Sequence, residues 1–345
     1  MENRQAGINS YKSKLLIGIL FSAIIISIGT SVGSSNIGFT DTISVILEKM
    51  TKITFNDIDS KTVSIVWNLR LPRVILAFLV GGSLSISGSV VQSILKNELA
   101  SPYTLGVSAG ASLGAGAVII TGLSLPLIGQ FTMPLVGFLF AMATIYFVIL
   151  IASKLDKTMS NNTIVLFGMV FSLFVNAILT TLTAMFQKEL KSIVMWQMGS
   201  FAMRGWLYVK LIIPFFIIGT LGVLRYTKEM DILTFGEEQA RSVGVETTSV
   251  RKKLFIYSTI LTGGAVSLSG TIGFVDLIAP HVARKIVGSA HKYVIPMSFM
   301  VGGSLMVVTD LISRTIISPA ELPVGAITAL IGAPFFAWVY FSKKK

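Results

Sequence analysis

Hydrophobic positions along this chain come in long uninterrupted runs, not in alternation. Ten runs predict membrane-spanning helices, at roughly 15–31, 74–95, 104–122, 131–153, 162–186, 207–225, 254–271, 273–288, 293–313 and 322–342. A helix needs about 20 apolar residues to cross a hydrocarbon core of about 30 Å. The eighth run is short for that and contains Pro280, so a broken or tilted helix is expected there. Strands of a membrane barrel would alternate in polarity, which excludes that class. The fold expected is therefore all-α and polytopic.

Small residues repeat within two of these runs. Residues 81–90 read Gly-Gly-Ser-Leu-Ser-Ile-Ser-Gly-Ser-Val and residues 263–272 read Gly-Gly-Ala-Val-Ser-Leu-Ser-Gly-Thr-Ile. They lie five crossings apart, so the copies point in opposite directions, as in the inverted repeats of transporters. The repeat halves would be about 74–186 and 254–342. A chance match is the competing explanation, because Gly and Ser abound where membrane helices pack.

The fifth run carries a polar stripe: Ser172, Asn176, Thr180, Thr183 and Gln187 share one helical face. Such a face fits a translocation pathway, or an interface held by interhelical hydrogen bonds; Asn176 and Gln187 favour the pathway.

Composition adds the orientation. The chain is 53% hydrophobic and 13% charged, with a net charge of +12. With the N terminus in the cytoplasm, 18 of the 28 Lys and Arg fall inside, among them Lys157 and Lys343 to Lys345. That bias puts both termini inside. The first run follows Arg4, Lys12 and Lys14 like a signal peptide, but lacks a convincing cleavage site and is read as a retained helix. Cysteine is absent, which removes disulfides, thiolate metal sites and a cysteine nucleophile.

Three polar segments interrupt the runs. In the outer loop 32–73, Thr40 and Asp41 cap an expected short helix ending near Met50. In the inner loop 226–253, a polar helix is expected over 236–245, ended by Gly244. An outer link spans 314–323.

Candidate chemistry is sparse. Arg70, Arg73 and Arg314 sit at the outer edge, where they either snorkel or bind an acidic partner. Asp276 and Asp310 are the acids in or near apolar runs. Asp310 is expected to pair with Arg314 four residues on, and Asp276 to be hydrated at the outer end of its run. His281 and His291, without nearby acids, make no metal site. No Gly-x-x-x-x-Gly-Lys-Ser/Thr loop occurs, so ATP-driven transport would need a second polypeptide as motor. No catalytic residue and no cofactor is assigned.

The chain resembles the FecCD family of bacterial importer permeases, the membrane subunits of ABC transporters for iron–siderophores, haem and vitamin B12. The resemblance rests on Arg70-Leu71-Pro72-Arg73; Gly88 with Gln92, Asn97 and Leu99 through Gly106; Gly270 to Phe274; Ala279 to Arg284; Asp310 with Arg314; and Glu321 to Phe336. It implies a dimer, of two copies or with a paralogous permease, in the bacterial cytoplasmic membrane. It also implies partner ATPase subunits and an extracytoplasmic substrate-binding protein. Nucleic acid is not a partner; the lipid bilayer is. Arg70, Arg73 and Arg314 match the docking positions for the binding protein. The fifth helices line the substrate path. The turn with Ser160, Asn161 and Asn162 matches a cytoplasmic gate, and Glu237, Ala240, Arg241 and Gly244 fall in the loop that fits a groove of the ATPase. Members usually carry glycine where this chain has Asp276, and the pattern gives that acid no role. An iron–siderophore is the leading cargo, with haem and cobalamin open. An ion-coupled carrier using Asp276 or Asp310 is the rival class.

Overall fold

The computed structural model describes residues 2–33, 37–51, 58–126, 128–156 and 159–342. Lys52, Lys157 and Lys343 to Lys345, used in the charge count, lie outside them. The chain runs through α1 (Glu2–Ser31), α2 (Phe39–Thr51), α3 (Ser60–Ser64), a π-helical turn (Ile65–Arg70), α4 (Leu71–Leu95), α5 (Val107–Thr121), α6 (Thr132–Leu155) and α7 (Asn161–Met185). It continues through α8 (Leu190–Gln197), α9 (Trp206–Leu224), α10 (Thr227–Phe235), α11 (Glu237–Ser242), α12 (Thr247–Ser269), α13 (Val275–Val287), α14 (His291–Thr315) and α15 (Val324–Ser342).

Each of the ten expected spans contains a helix: α1, α4, α5, α6, α7, α9, α12, α13, α14 and α15. Among the described residues, six helical stretches are long and apolar enough to cross a membrane by themselves: Tyr11–Ser31, Ser60–Leu95, Thr132–Leu155, Asn161–Met185, Trp206–Leu224 and His291–Thr315. α12 has the length but carries Arg251, Lys252 and Lys253 in its second turn. The short outer helix appears as α2. The expected 236–245 helix is instead the second of a pair, α10 and α11, separated by Gly236 at φ +140°.

α4 is the central post, buried along nearly its whole length. Small residues let its neighbours approach closely, the usual means of helix association in lipid. On one side α14 runs antiparallel to it: Arg73 reaches Asp310, Phe78 meets Gly303 and Gly82 meets Phe299. On another side the Ser87 hydroxyl donates to the Ser258 carbonyl at 2.8 Å and accepts from Thr262 at 2.6 Å, joining α4 to α12. α9 starts beside the N-terminal end of α4, where the Trp206 indole donates to the Trp67 carbonyl at 2.8 Å. It packs on α12 in reverse order, Phe215 on Gly264 and Gly219 on Leu261. α4 and α12, which carry the two small-residue tracts, thus run in opposite directions.

The backbone break does not fall where the sequence suggested. α13 passes through Pro280 without interruption. The missing Pro280 N–H leaves the Asp276 carbonyl without its helical donor; the Gln92 side chain supplies one at 3.3 Å. The chain instead leaves helical geometry at 270–274, between α12 and α13. Gly270 and Phe274 adopt φ of +80° and +70° there. Non-helical backbone inside a membrane protein survives only where other protein groups satisfy it. Here the Ser200 N–H donates to the Ser269 carbonyl at 2.8 Å, Thr271 donates to the Gln197 carbonyl, and the Tyr103 hydroxyl donates to the Ile272 carbonyl at 2.9 Å.

Candidate translocation pathway and docking sites

The outer arginines do not sit on an open surface. Arg70 ends the π-helical turn that leads into α4, and its side chain is buried beneath the end of α1. It donates to the Ser31 carbonyl at 2.5 Å, while Arg314, also buried, donates to the Gly29 carbonyl. Both therefore satisfy the free carbonyls at the C-terminal end of α1, where cations are favoured. Arg73 spreads its fork across two acids. Nε and Nη2 hold Asp310 at 2.8–3.1 Å, and Nη1 and Nη2 hold Glu321 at 2.7 and 2.9 Å. The expected Asp310–Arg314 pair exists but is loose, at 3.7 Å; the principal partner of Asp310 is Arg73.

Arg70, Arg73, Arg314 and Glu321 line an outer recess of about 650 Å³ together with Arg204, a residue that sequence reasoning left unassigned. The Arg204 guanidinium lies 4.3 Å from the centre of the Tyr208 ring, and its Nε is buried without a partner. Four arginines thus face the recess against one lining carboxylate, Glu321. The hydrogen bond from Arg73 holds Glu321 below the usual glutamate pKa. Counting Arg204 among the outer basic residues was the available signal, but nothing in the sequence links it to Arg70.

α7 leaves much of its surface open. Asn176 and Thr180 are exposed and Ser172 and Thr183 half-buried, beside exposed Leu173 and Phe174; Gln187, also exposed, lies in the turn beyond the end of α7 at Met185, so it does not share the helical face expected of it. Thr180 donates to the Asn176 carbonyl at 2.8 Å and Thr183 to that of Thr180 at 2.8 Å, so these hydroxyls are satisfied within the helix. The Asn176 amide makes no hydrogen bond among the described residues, which leaves it as the polar group this face offers.

At the other end of α7, the turn before it is tightly built. Ser160 caps the helix by accepting from the Thr163 N–H at 3.4 Å, and the Asp156 carboxylate accepts from the Ser160 N–H at 2.8 Å. Asn161 donates to the Leu95 carbonyl at 2.9 Å, tying the turn to α4; Asn162 is exposed. The α10–α11 segment lies nearby. Glu237 reaches Arg251 at 2.6 Å and Arg241 at 3.7 Å. Ala240 is buried, while Arg241 and Gly244 are exposed. Phe235 and Val243 project from the same segment, 79% and 65% exposed, as apolar anchors that the polarity of the loop concealed in the sequence.

Residues 15–342 match the FecCD transport family. The chain belongs to the FecCD transport family. It is 41% identical over 331 residues to an uncharacterised ABC transporter permease of Bacillus subtilis (strain 168), covering 96% of this chain and 94% of that one. It is 38% identical over 275 residues to a cobalamin import permease of Halobacterium salinarum, covering 80% and 73%. Other relatives are named for hemin, iron(III) citrate and molybdate. A solved metal-chelate type ABC transporter in an inward-facing conformation superposes with a TM-score of 0.82 at 29% identity, over 95% of this chain and 98% of that one. This FecCD protein is therefore the permease component of an ABC importer, whose ATPase is a separate subunit and which works with a substrate-binding protein.

The ion-coupled reading of the two acids gives way accordingly. In this FecCD permease Asp310 is neutralised by Arg73. Asp276 is not hydrated at an outer end: it is 2% exposed, and Ser101, from the segment joining α4 to α5, donates to its Oδ2. Both histidines also have acidic neighbours after all. His291 lies 2.5 Å from Asp231 and His281 3.6 Å from Glu98. No cluster of three or more metal-ligating side chains occurs among the described residues.

Proposed function

We propose that this permease imports a metal chelate, an iron–siderophore foremost, across the bacterial cytoplasmic membrane, with both termini inside. A binding protein presents acidic groups to the recess of Arg70, Arg73, Arg204 and Arg314. The cargo then passes between the α7 helices of two permease subunits, identical or paralogous. The turn at Ser160, Asn161 and Asn162 closes the inner end, and the segment carrying Glu237, Ala240, Arg241 and Gly244 docks on the ATPase.

The observation that supports the pathway best is the α7 face itself. A long apolar helix with an open face, where the unpartnered Asn176 amide sits among exposed Leu173 and Phe174, suits a bulky cargo that must be passed on without tight binding. The chelate class follows from the relatives named for hemin, cobalamin and iron(III) citrate.

The test is reconstitution of the permease with its ATPase and binding protein in liposomes, offered ferric siderophores, hemin, cobalamin and molybdate in turn. ATP-dependent accumulation of a ferric siderophore, lost when the binding protein is omitted, is expected. Uptake of molybdate alone would overturn the chelate reading. Accumulation by the permease without its partners would overturn the assembly.

A further inference from the structure

The buried side chain of Arg251, in the second turn of α12, is not explained by packing alone. It is 1% exposed, and its guanidinium is divided between two segments. Nη2 meets the Glu237 carboxylate at 2.6 Å and donates to Asn161 Oδ1 at 2.9 Å; Nη1 donates to the Met159 carbonyl at 2.8 Å. Asn161 in turn holds the end of α4 through the Leu95 carbonyl. One unbroken line of polar contacts therefore runs from α11, through Arg251, to the turn before α7 and on to α4.

We infer that Arg251 is the positioning residue through which α11 holds and releases the inner gate. This deepens the proposal above and rests on α11 docking to the ATPase. Three features support a moving part over a fixed clamp. First, α11 is a six-residue helix flanked by Gly236 at φ +140° and Gly244 at φ +86°, conformations that other residues rarely adopt. Second, the Asp156 carboxylate ties the start of α7 together, accepting from the Ser160 N–H at 2.8 Å and the Thr163 hydroxyl at 3.1 Å. Third, Arg251 pairs directly with the Glu237 carboxylate on the α11 side, while its gate-side hydrogen bonds go to neutral oxygens and the Asp156 carboxylate acts on it only through space.

That asymmetry gives the device its direction. A buried guanidinium without its counter-charge is strongly disfavoured. If the ATPase displaces α11, Arg251 must follow Glu237, and it gives up the weaker acceptors at Met159 and Asn161 to do so. The turn then keeps the Asn161 bond to Leu95 and the packing of the buried Met159 side chain, and loses its polar link to α11.

The experiment uses the assembled importer in liposomes, with ATP hydrolysis and uptake measured in parallel. Arg251→Met is expected to lower uptake per ATP by about tenfold, within the usual range of coupling between sites. Glu237→Gln, which keeps a side-chain oxygen facing Arg251 but removes the charge, should lower it in the same direction, with thermal unfolding in detergent checking that the variant is folded. The double variant should be no worse than Arg251→Met, because the two act in one chain. Arg251→Lys should restore only part of the coupling, since a lysine keeps the charge without the fork. Unchanged uptake per ATP in Glu237→Gln and Arg251→Met, or losses that simply add, would overturn the proposal. The chain has no cysteine, so a single Val243→Cys reports docking separately by cross-linking to the ATPase. No cross-link in otherwise unaltered protein sinks the docking reading and this proposal with it. A cross-link with unchanged coupling sinks this proposal alone.

Discussion

Arg73 and Asp310, 237 residues apart, form a three-bond ion pair at 2.8, 3.0 and 3.1 Å that fastens α4 to α14 at their outer ends. Asp310 is fully buried, so each charge depends on the other. Asp310→Asn should destabilise the permease by about 3–5 kcal/mol, because it strands part of a buried guanidinium. Thermal unfolding in detergent measures this. The same variant should leave ATP the sole energy source; a new or lost ion dependence of uptake would argue against the structural role.

Glu321 occupies the outer prong of Arg73, where an acidic group of the binding protein would have to arrive. It acts as a resident competitor. Glu321→Gln should tighten association with the binding protein severalfold, as read by titration on liposomes. Weaker association would show instead that Glu321 shapes the recess.

The pH dependence of this contact follows from the lowered pKa of Glu321, caused first by its hydrogen bond with Arg73. A depressed carboxylate contributes stability above its unfolded pKa and loses it as pH falls through the folded value. The Arg73–Glu321 contact should therefore be intact at neutral pH and open only below the ordinary glutamate range. Glu321→Gln should flatten the acid limb of the stability profile by the corresponding amount and leave the neutral region unchanged.

Asn176 separates a pathway from a lipid-facing surface. Its amide is exposed and unpartnered, whereas Thr180 and Thr183 already bond within α7. Asn176→Leu should change stability by less than about 0.5 kcal/mol, as usual for exposed positions, yet lower uptake with the ATPase still active. If the face only met lipid, the leucine would leave uptake untouched.

Two helix glycines give opposite expectations. A Cβ on Gly88 would run into the Asp276 carbonyl of α13, so Gly88→Ala should cost about 1–3 kcal/mol by wedging the helices apart. The nearest atom to a Cβ on Gly137 is the Ala111 carbonyl at 3.5 Å, an ordinary contact. Gly137→Ala should therefore be neutral or stabilising by up to about 1 kcal/mol through helix propensity. Unfolding midpoints of the two variants decide between them.

The spans were legible because long apolar runs depend on local composition alone. The shared face of Ser172, Asn176, Thr180 and Thr183 on α7 was legible for the same reason, since helical spacing sets it, but Gln187 was not, because the helix stops at Met185. What the sequence misplaced depended on distant partners. Pro280 pointed to a break, but Gln92 supplies the donor it lacks, and the chain opens earlier at Gly270. Asp310 was matched with its neighbour Arg314, whereas a guanidinium from α4 fits it better. Arg204 and Arg251 gave no local signal, because their significance lies in which segments they bridge.

The stitched seam of 197–200, 270–274 and 324–325 has a mechanical consequence. The Gly199 carbonyl accepts from the Val324 N–H at 3.2 Å and the Met198 carbonyl from the Gly325 N–H at 3.1 Å, which adds α15 to the bonds already formed by Thr271 and Ser269. Parting these strands of backbone would leave bare peptide groups in an oily interior. They form a keystone: any change in the shape of the bundle would be expected to carry these three segments together.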